Sequence, residues 1–147
     1  MAVLELSRPT GRAPQIDLDG VKLLVVAHEP ASVERLRRQL RTSGATIVAA
    51  SSAQEALQLL RSERPDVVAC ELDLPDCHGL HLMRRIRMRS RLEGGATPAI
   101  ALTTQVSQSA HASALLAGYQ AFVPIAADSI ELAVAILGVV GAQRQPN

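Results

Sequence analysis

The sequence predicts an α/β protein in which a five-stranded parallel sheet carries helices on both faces. Three observations predict it. Five short apolar runs, starting at Val21, Thr46, Asp66, Pro98 and Gln120, each precede a segment with helical spacing. The runs are close to continuously apolar rather than alternating, as in strands buried on both sides. The connections are short, and right-handed crossovers then place helices on both faces of the sheet.

The elements follow in order. Residues 1–20 carry Pro9, Gly11, Pro14 and Gly20 among polar residues and read as a flexible N-terminal arm, with Ala2–Leu6 as an edge-strand candidate. Val21–Ala27 is the first strand. Pro30–Ser43 is a helix with Leu36 and Leu40 inward, Arg35, Arg37, Arg38 and Arg41 outward, and Gly44 as its stop. Thr46–Ala50 is the second strand. Ser52 with Glu55 three residues on is a capping-box pattern for a helix reaching about Glu63, with Ala56, Leu57 and Leu60 inward. Asp66–Glu71 is the third strand. Gly79 to about Arg91 is a helix whose apolar face is Leu80, Leu82, Met83 and Ile86. Pro98–Thr103, a helix over Ser107–Ala117 ended by Gly118, and the strand Gln120–Pro124 follow. Asp128 caps a last helix running to about Val140. The domain spans residues 21–141, and 142–147 are a frayed tail. At this size the expected strand order is 2-1-3-4-5, a flavodoxin-like doubly wound sheet. A dinucleotide-binding domain is excluded, because the turn after the first strand reads Ala27-His28-Glu29-Pro30 instead of a glycine-rich loop.

Composition narrows the function. The 147 residues suit one domain, and 48% are hydrophobic with one Tyr, one Phe and no Trp, so the core is aliphatic. The net charge of +1 gives no bulk attraction to nucleic acid or membranes. The two cysteines, Cys70 and Cys77, make no disulfide framework, and Cys70 on a central strand is expected to be a small buried hydrophobe. No run approaches a membrane span of about 20 apolar residues. No secretory signal opens the chain, so a cytoplasmic protein is expected.

The third strand ends on Glu71 and empties into Leu72-Asp73-Leu74-Pro75-Asp76-Cys77-His78-Gly79. In open α/β sheets chemistry gathers where strands end at the carboxyl edge, so Glu71 is the first candidate residue. Four blocks then fall at one spacing: Leu24–Pro30, Pro65–Val68 through Pro75 to Gly79, Pro98–Thr103, and Ala117–Val123. Over about Val21 to Val140 they resemble the receiver domains of bacterial two-component response regulators, in flavour those attached to hybrid sensor kinases.

The resemblance implies a phosphorelay module. Such receivers accept a phosphoryl group on an aspartate ending the third strand. Two acidic residues after the first strand hold Mg²⁺, a Thr or Ser ends the fourth strand, and a Lys ends the fifth. Catalysis there is positioning plus electrostatics. This chain departs at most of those posts. The acceptor position holds Glu71, the acidic pair is Ala27 and His28 with Glu29 one place late, and the lysine position holds Ile125. Thr103 keeps the hydroxyl, and Phe122 takes the switch-aromatic position, where an inward ring is expected. The only lysine, Lys22, opens the first strand at the wrong end. The expectation is a non-catalytic pseudo-receiver that has lost Mg²⁺. Glu71, one methylene longer than Asp, partly imitates a phosphorylated acceptor, and His28 is its expected cationic partner. No arginine is expected near that edge.

Two rivals remain: a phosphorylatable regulator with unusual site residues, and a small-molecule binder using an apolar pocket vacated near Ala27, Glu71, Thr103 and Ile125. His28, Glu71 and His78 form a weaker metal-ligand candidate set without a local motif. Asp73 and Asp76 read as solvated loop residues. The arginine run Arg84, Arg85, Arg87, Arg89 and Arg91 reads as a solvated helix face, and nucleic-acid binding is not expected because no aromatics accompany it. From Gly94 to Ala127 there is no Asp, Glu, Lys or Arg, and Leu132–Val140 is apolar all round. A helix apolar on every side needs cover on every side. A homodimer or partner-protein contact is therefore expected through the fourth helix, fifth strand and fifth helix, with a sensor kinase or output protein as the other party.

Overall fold

A computed structural model describes residues 4–5, 15–104 and 107–144. Two short strands, β1 (Leu4–Glu5) and β2 (Gln15–Ile16), pair antiparallel ahead of the main sheet. The main sheet is β3 (Lys22–Val26), β4 (Thr46–Ala50), β5 (Val67–Glu71), β6 (Ala99–Thr103) and β7 (Ala121–Pro124). All four pairings are parallel, and the spatial order is β4-β3-β5-β6-β7. Its five strands thus run 2-1-3-4-5, the expected order. The helices are α1 (Pro30–Gln39), α2 (Ala53–Glu63), α3 (Gly79–Arg87), α4 (Gln108–Ala117) and α5 (Ser129–Arg144).

The strand alternation divides the core into two layers. Leu23, Val25, Val67, Ala69 and Ile100 face the layer of Leu36, Leu40, Leu132 and Ile136 from α1 and α5. Leu24, Val26, Val68, Cys70 and Ala101 face the layer built by α2, α3 and α4. Each fully buried Leu, Ile or Val contributes about 1.5–3 kcal/mol against exposure. The strands are therefore apolar on both sides, which is why they read as unbroken runs.

Three boundaries differ from the sequence expectation. Ile16 and Leu18, assigned to the arm, enter the core: both are buried in the α1–α5 layer, and Leu18 N donates to Ser43 O at 2.7 Å. The rest of that arm, apart from Leu4 and Glu5, lies outside the described residues. Helix α5 continues to Arg144, through the first part of the expected tail; residues 145–147 lie outside the description. Helix α3 ends at Arg87 and not near Arg91, with a 3₁₀ turn over Arg91–Glu93 instead.

At that end Arg87 points inward. Its Nε and Nη2 donate to Gly118 O at 3.0 and 2.7 Å, and Nη1 donates to Gly95 O and Thr97 O at 3.0 and 2.7 Å. Nη2 also reaches Gln120 Oε1 at 3.1 Å. Arg89 Nη1 donates to Leu57 O at 3.2 Å. The arginine run is thus not a uniform solvated face. Gly118 is required here: its φ is +117°, and a Cβ would lie 2.7 Å from Arg87 Cγ.

The apolar α5 also finds more cover than expected. Leu132, Ala133, Ile136, Val139 and Val140 are buried, in the layer that Ile16 and Leu18 complete. Its exposed large apolar residues are Ile130 and Val134, at 38% and 47%. No helix among the described residues is long and apolar enough to cross a membrane.

Candidate functional site

Parallel pairing brings the ends of β3, β5 and β6 to one edge. The register pairs Val26 with Cys70, Glu71 with Leu102, and Thr103 with Pro124. Ala27 follows β3 directly and is buried, its N donating to Ala50 O at 3.0 Å. Glu71 is half-buried and Thr103 buried. Ile125 N donates to Thr103 O at 2.9 Å, which sets Ile125 beside the end of β6. Glu71, Thr103, Ile125 and His28 line one cleft of about 330 Å³, together with Ser32 and the carboxylates Glu29 and Asp73. Ala27 lies outside that lining. The cleft mixes the apolar side chains of Leu72, Leu102 and Ile125 with three carboxylates and the hydroxyls of Ser32, Thr103 and Thr104.

Burial pushes the Glu71 carboxyl above its ordinary range. The Ser32 hydroxyl and the Arg35 charge pull it back, while Glu29 and Asp73 push it further up. The groups that steady Glu71 are therefore Ser32 and Arg35, both from α1. His28, its expected partner, stays exposed at the rim. Arg35, expected on the outer face of α1, reaches behind the cleft, where it shares a small void with Leu102 and Ile125. Its Nε is buried and has no hydrogen-bond partner. A signal for this existed: Ser32, Arg35, Leu36, Gln39 and Leu40 follow the i, i+3, i+4, i+7, i+8 stripe of a packed helix face.

The sign of the Glu71 shift gives a pH prediction. A carboxyl with a raised folded-state pKa binds its proton more readily folded than unfolded. Its cost to stability is therefore absent below the unfolded value, appears as pH rises through the raised folded value, and persists above it. Glu71→Gln should stabilise the protein at neutral pH, by on the order of 0.5 kcal/mol because solvent screens a half-exposed group, and should change nothing near pH 3. Urea melts of both proteins across pH would check this; an equal difference at pH 3 and pH 7 would refute it.

The loop after Glu71 is held at several points. Asp76, expected to be solvated, remains exposed but accepts from Ala53 N at 2.9 Å and Gln54 N at 3.0 Å in the first turn of α2. These bonds hold its carboxyl below the ordinary range. Ser52 Oγ accepts from Glu55 N at 3.1 Å, as the capping pattern foretold. His78 caps α3, its Nδ1 accepting from Leu80 N at 3.1 Å, and Asp73 bridges to His78. Gly79 N donates to Leu72 O at 2.7 Å, and a Cβ at Gly79 would come within 2.9 Å of Leu72 Cα. His78 is thus a structural cap. Among the described residues no three of His, Cys, Asp and Glu gather to hold a metal ion, so the set His28, Glu71 and His78 does not assemble.

Phe122 sits on the other side of the sheet from the α1–α5 layer and is half-buried against the α2–α4 layer. Its ring stacks on His111 of α4, with centroids 5.1 Å apart and planes 8° from parallel. Tyr119, which sequence reasoning missed, is buried and donates its hydroxyl to Gly79 O at 2.8 Å, tying the start of α3 to the end of α4. Cys70 beside it is buried, and burial pushes its thiol up to about 12, so it behaves as an inert apolar residue.

The family model described as the response regulator receiver domain matches residues 23–136. The chain belongs to that family. This receiver is 35% identical over 104 residues to the response regulator MprA of Mycolicibacterium vanbaalenii, across 71% of this chain and 43% of the relative. It therefore spans less than half the length of that relative. It is 33% identical over 110 residues to an uncharacterised 14.6 kDa protein of Leptolyngbya boryana, across 75% of this chain and 82% of that one. Among solved structures, a LuxR-family two-component response regulator from Aurantimonas superposes with a TM-score of 0.75 at 30% identity, covering 83% of this receiver and 86% of that chain. A Francisella response-regulator receiver domain, at 19% identity and a TM-score of 0.77 over 85% of this chain and all of that one, shares the fold. The protein is thus a receiver domain of two-component signalling.

Proposed function

We propose that this receiver signals without being phosphorylated, as a protein–protein interaction module whose site is set permanently by its own side chains. The observation that carries the reading is the replacement of charge at the carboxyl edge. A buried methyl group, Ala27, stands where the family places an oxygen ligand, and Mg²⁺ requires oxygen donors in near-ideal octahedral geometry. Glu29, Glu71 and Asp73 line the cleft without gathering into a metal-holding group among the described residues, so the residues present do not suit the ion. Ile125 fills the lysine post, and the positive charge comes instead from Arg35 behind it. Glu71 occupies the acceptor position, with the Ser32 hydroxyl among the groups that hold its pKa down. Incubation with acetyl phosphate and Mg²⁺, followed by intact-mass measurement, is expected to leave the mass unchanged. A stable gain of one phosphoryl group would overturn the proposal.

The surface formed by α4, β7 and α5 is the contact we assign to a second copy of the chain. Leu115 is 50% exposed, Val134 47% and Ile130 38%, and the chain from Gly94 to Ala127 carries no Asp, Glu, Lys or Arg, with Asp128 and Glu131 the acids at the start of α5. Exposed apolar side chains grouped on one face favour association. Light scattering after size exclusion should give a dimer mass at tens of micromolar that falls on dilution. A monomer mass throughout would refute self-association.

A further inference from the structure

We infer that the chain also self-associates through the open edge of its sheet, β4 of one copy pairing antiparallel with β4 of a second across a two-fold axis at Val48. β4 ends the sheet, and its one neighbour there is β3. Thr46 N donates to Val21 O at 2.9 Å, and Ala50 O accepts from Ala27 N at 3.0 Å. Backbone groups alternate sides along a strand, so the N–H and C=O of Ile47 and Ala49 point away from β3. No described residue takes them. Ile47, Val48 and Ala49 are only partly buried. The strand Thr46-Ile47-Val48-Ala49-Ala50 carries no charge and no proline, the devices that guard an edge.

The flanking backbone groups fix the register. Ala45 N already donates to Ser43 Oγ at 3.3 Å, and Ser51 N to Glu55 Oε1 at 2.6 Å. The stretch 47–49 is therefore the open part of the edge. Antiparallel pairing centred on Val48 sets Ile47 against the second copy's Ala49, and Ala49 against the second copy's Ile47, each pair exchanging its backbone bonds in both directions. A register centred on Ile47 or on Ala49 would instead need Ala45 N or Ser51 N.

Shape and charge select a second copy over a foreign strand. Residues directly opposite in a sheet share a face, and Ile47 packs on the α1–α5 side. On that side Ala49 borders a groove of about 260 Å³ with Val33, Glu34 and Arg37 of α1. The second copy's Ile47 enters this groove beside the small Ala49, and the two-fold axis repeats the fit. The exposed acids Glu29, Glu34 and Glu55 gather toward the carboxyl end of β4. Toward its amino end α1 carries the exposed Arg38 and Arg41, with Asp19 the acid beside Gly44. Antiparallel pairing sets the acids of each copy against those arginines of the other. β4 and β7 are opposite edges of the sheet, so this contact is separate from the α4–β7–α5 face.

The test is Val48→Cys in a Cys77→Ser background under mild oxidation. The axis sets Val48 against itself at a Cα separation of about 4.5 Å, within disulfide reach. A covalent dimer should form at least tenfold faster than from Arg84→Cys, an exposed position on α3, in the same background. Adding Ala49→Pro removes an N–H that β3 does not use, so circular dichroism and Tm should hold while cross-linking falls at least tenfold. Ala49→Arg, which fills the groove beside Arg37, should do the same. Ile130→Glu, on the other face, should leave cross-linking unchanged. Cross-linking no faster than from Arg84→Cys, or equal cross-linking with either Ala49 variant, would overturn the proposal. So would its loss with Ile130→Glu alone.

Discussion

Arg87→Ala is expected to cost about 3 kcal/mol of stability and to lower the Tm by about 10 °C. The guanidinium donates to three backbone carbonyls, those of Gly95, Thr97 and Gly118, and to Gln120 Oε1. Removing it strands those acceptors beneath α3 and α4, and each buried acceptor left unpaired costs about 1–3 kcal/mol. The loss is not simply additive, because Gln120 Oε1 also accepts from Ala99 N at 2.7 Å and keeps that bond. Arg87→Lys should recover less than half. An ammonium on a flexible stem cannot reproduce a planar fork that serves acceptors in two directions. Urea titration of the three proteins measures this, and a change below about 1 kcal/mol for alanine would show that the network is a surface ornament.

Leu18→Ala is expected to cost a similar amount, about 3 kcal/mol. The side chain is fully buried among Leu40, Leu132 and Ile136 of the α1–α5 layer, and the backbone beside it is pinned to Ser43. The alternative, that residues before Val21 form a loose arm, predicts a change within about 0.5 kcal/mol. The same urea experiment separates the two. A silent Leu18→Ala would return the domain boundary to Val21.

The five strands of the main sheet were legible because each is buried on both sides and had to be apolar throughout. Glu71, Thr103 and Ile125 were legible because parallel strands deliver their last residues to one edge. Leu18 was not, since Pro14, Gly20 and three polar neighbours outweigh one leucine in any local reading. Arg87 and Arg35 were missed for a shared reason. Arginine is assigned outward by default, and nothing in a local pattern shows which stem will bury its length and turn its head to a carbonyl or a carboxylate. The His28–Glu71 pair failed because α1 starts at Pro30 and brings Ser32 and Arg35, one turn apart, over the edge.

Ile125 stands between two surroundings, the void of about 10 Å³ that it shares with Arg35 and the cleft that it shares with Glu29, Glu71 and Asp73. A lysine placed at 125 would be repelled by the guanidinium and drawn by the three carboxylates. Its ammonium would therefore settle in the cleft, and the new cation and Arg35 would share the balancing of Glu71 rather than exclude one another.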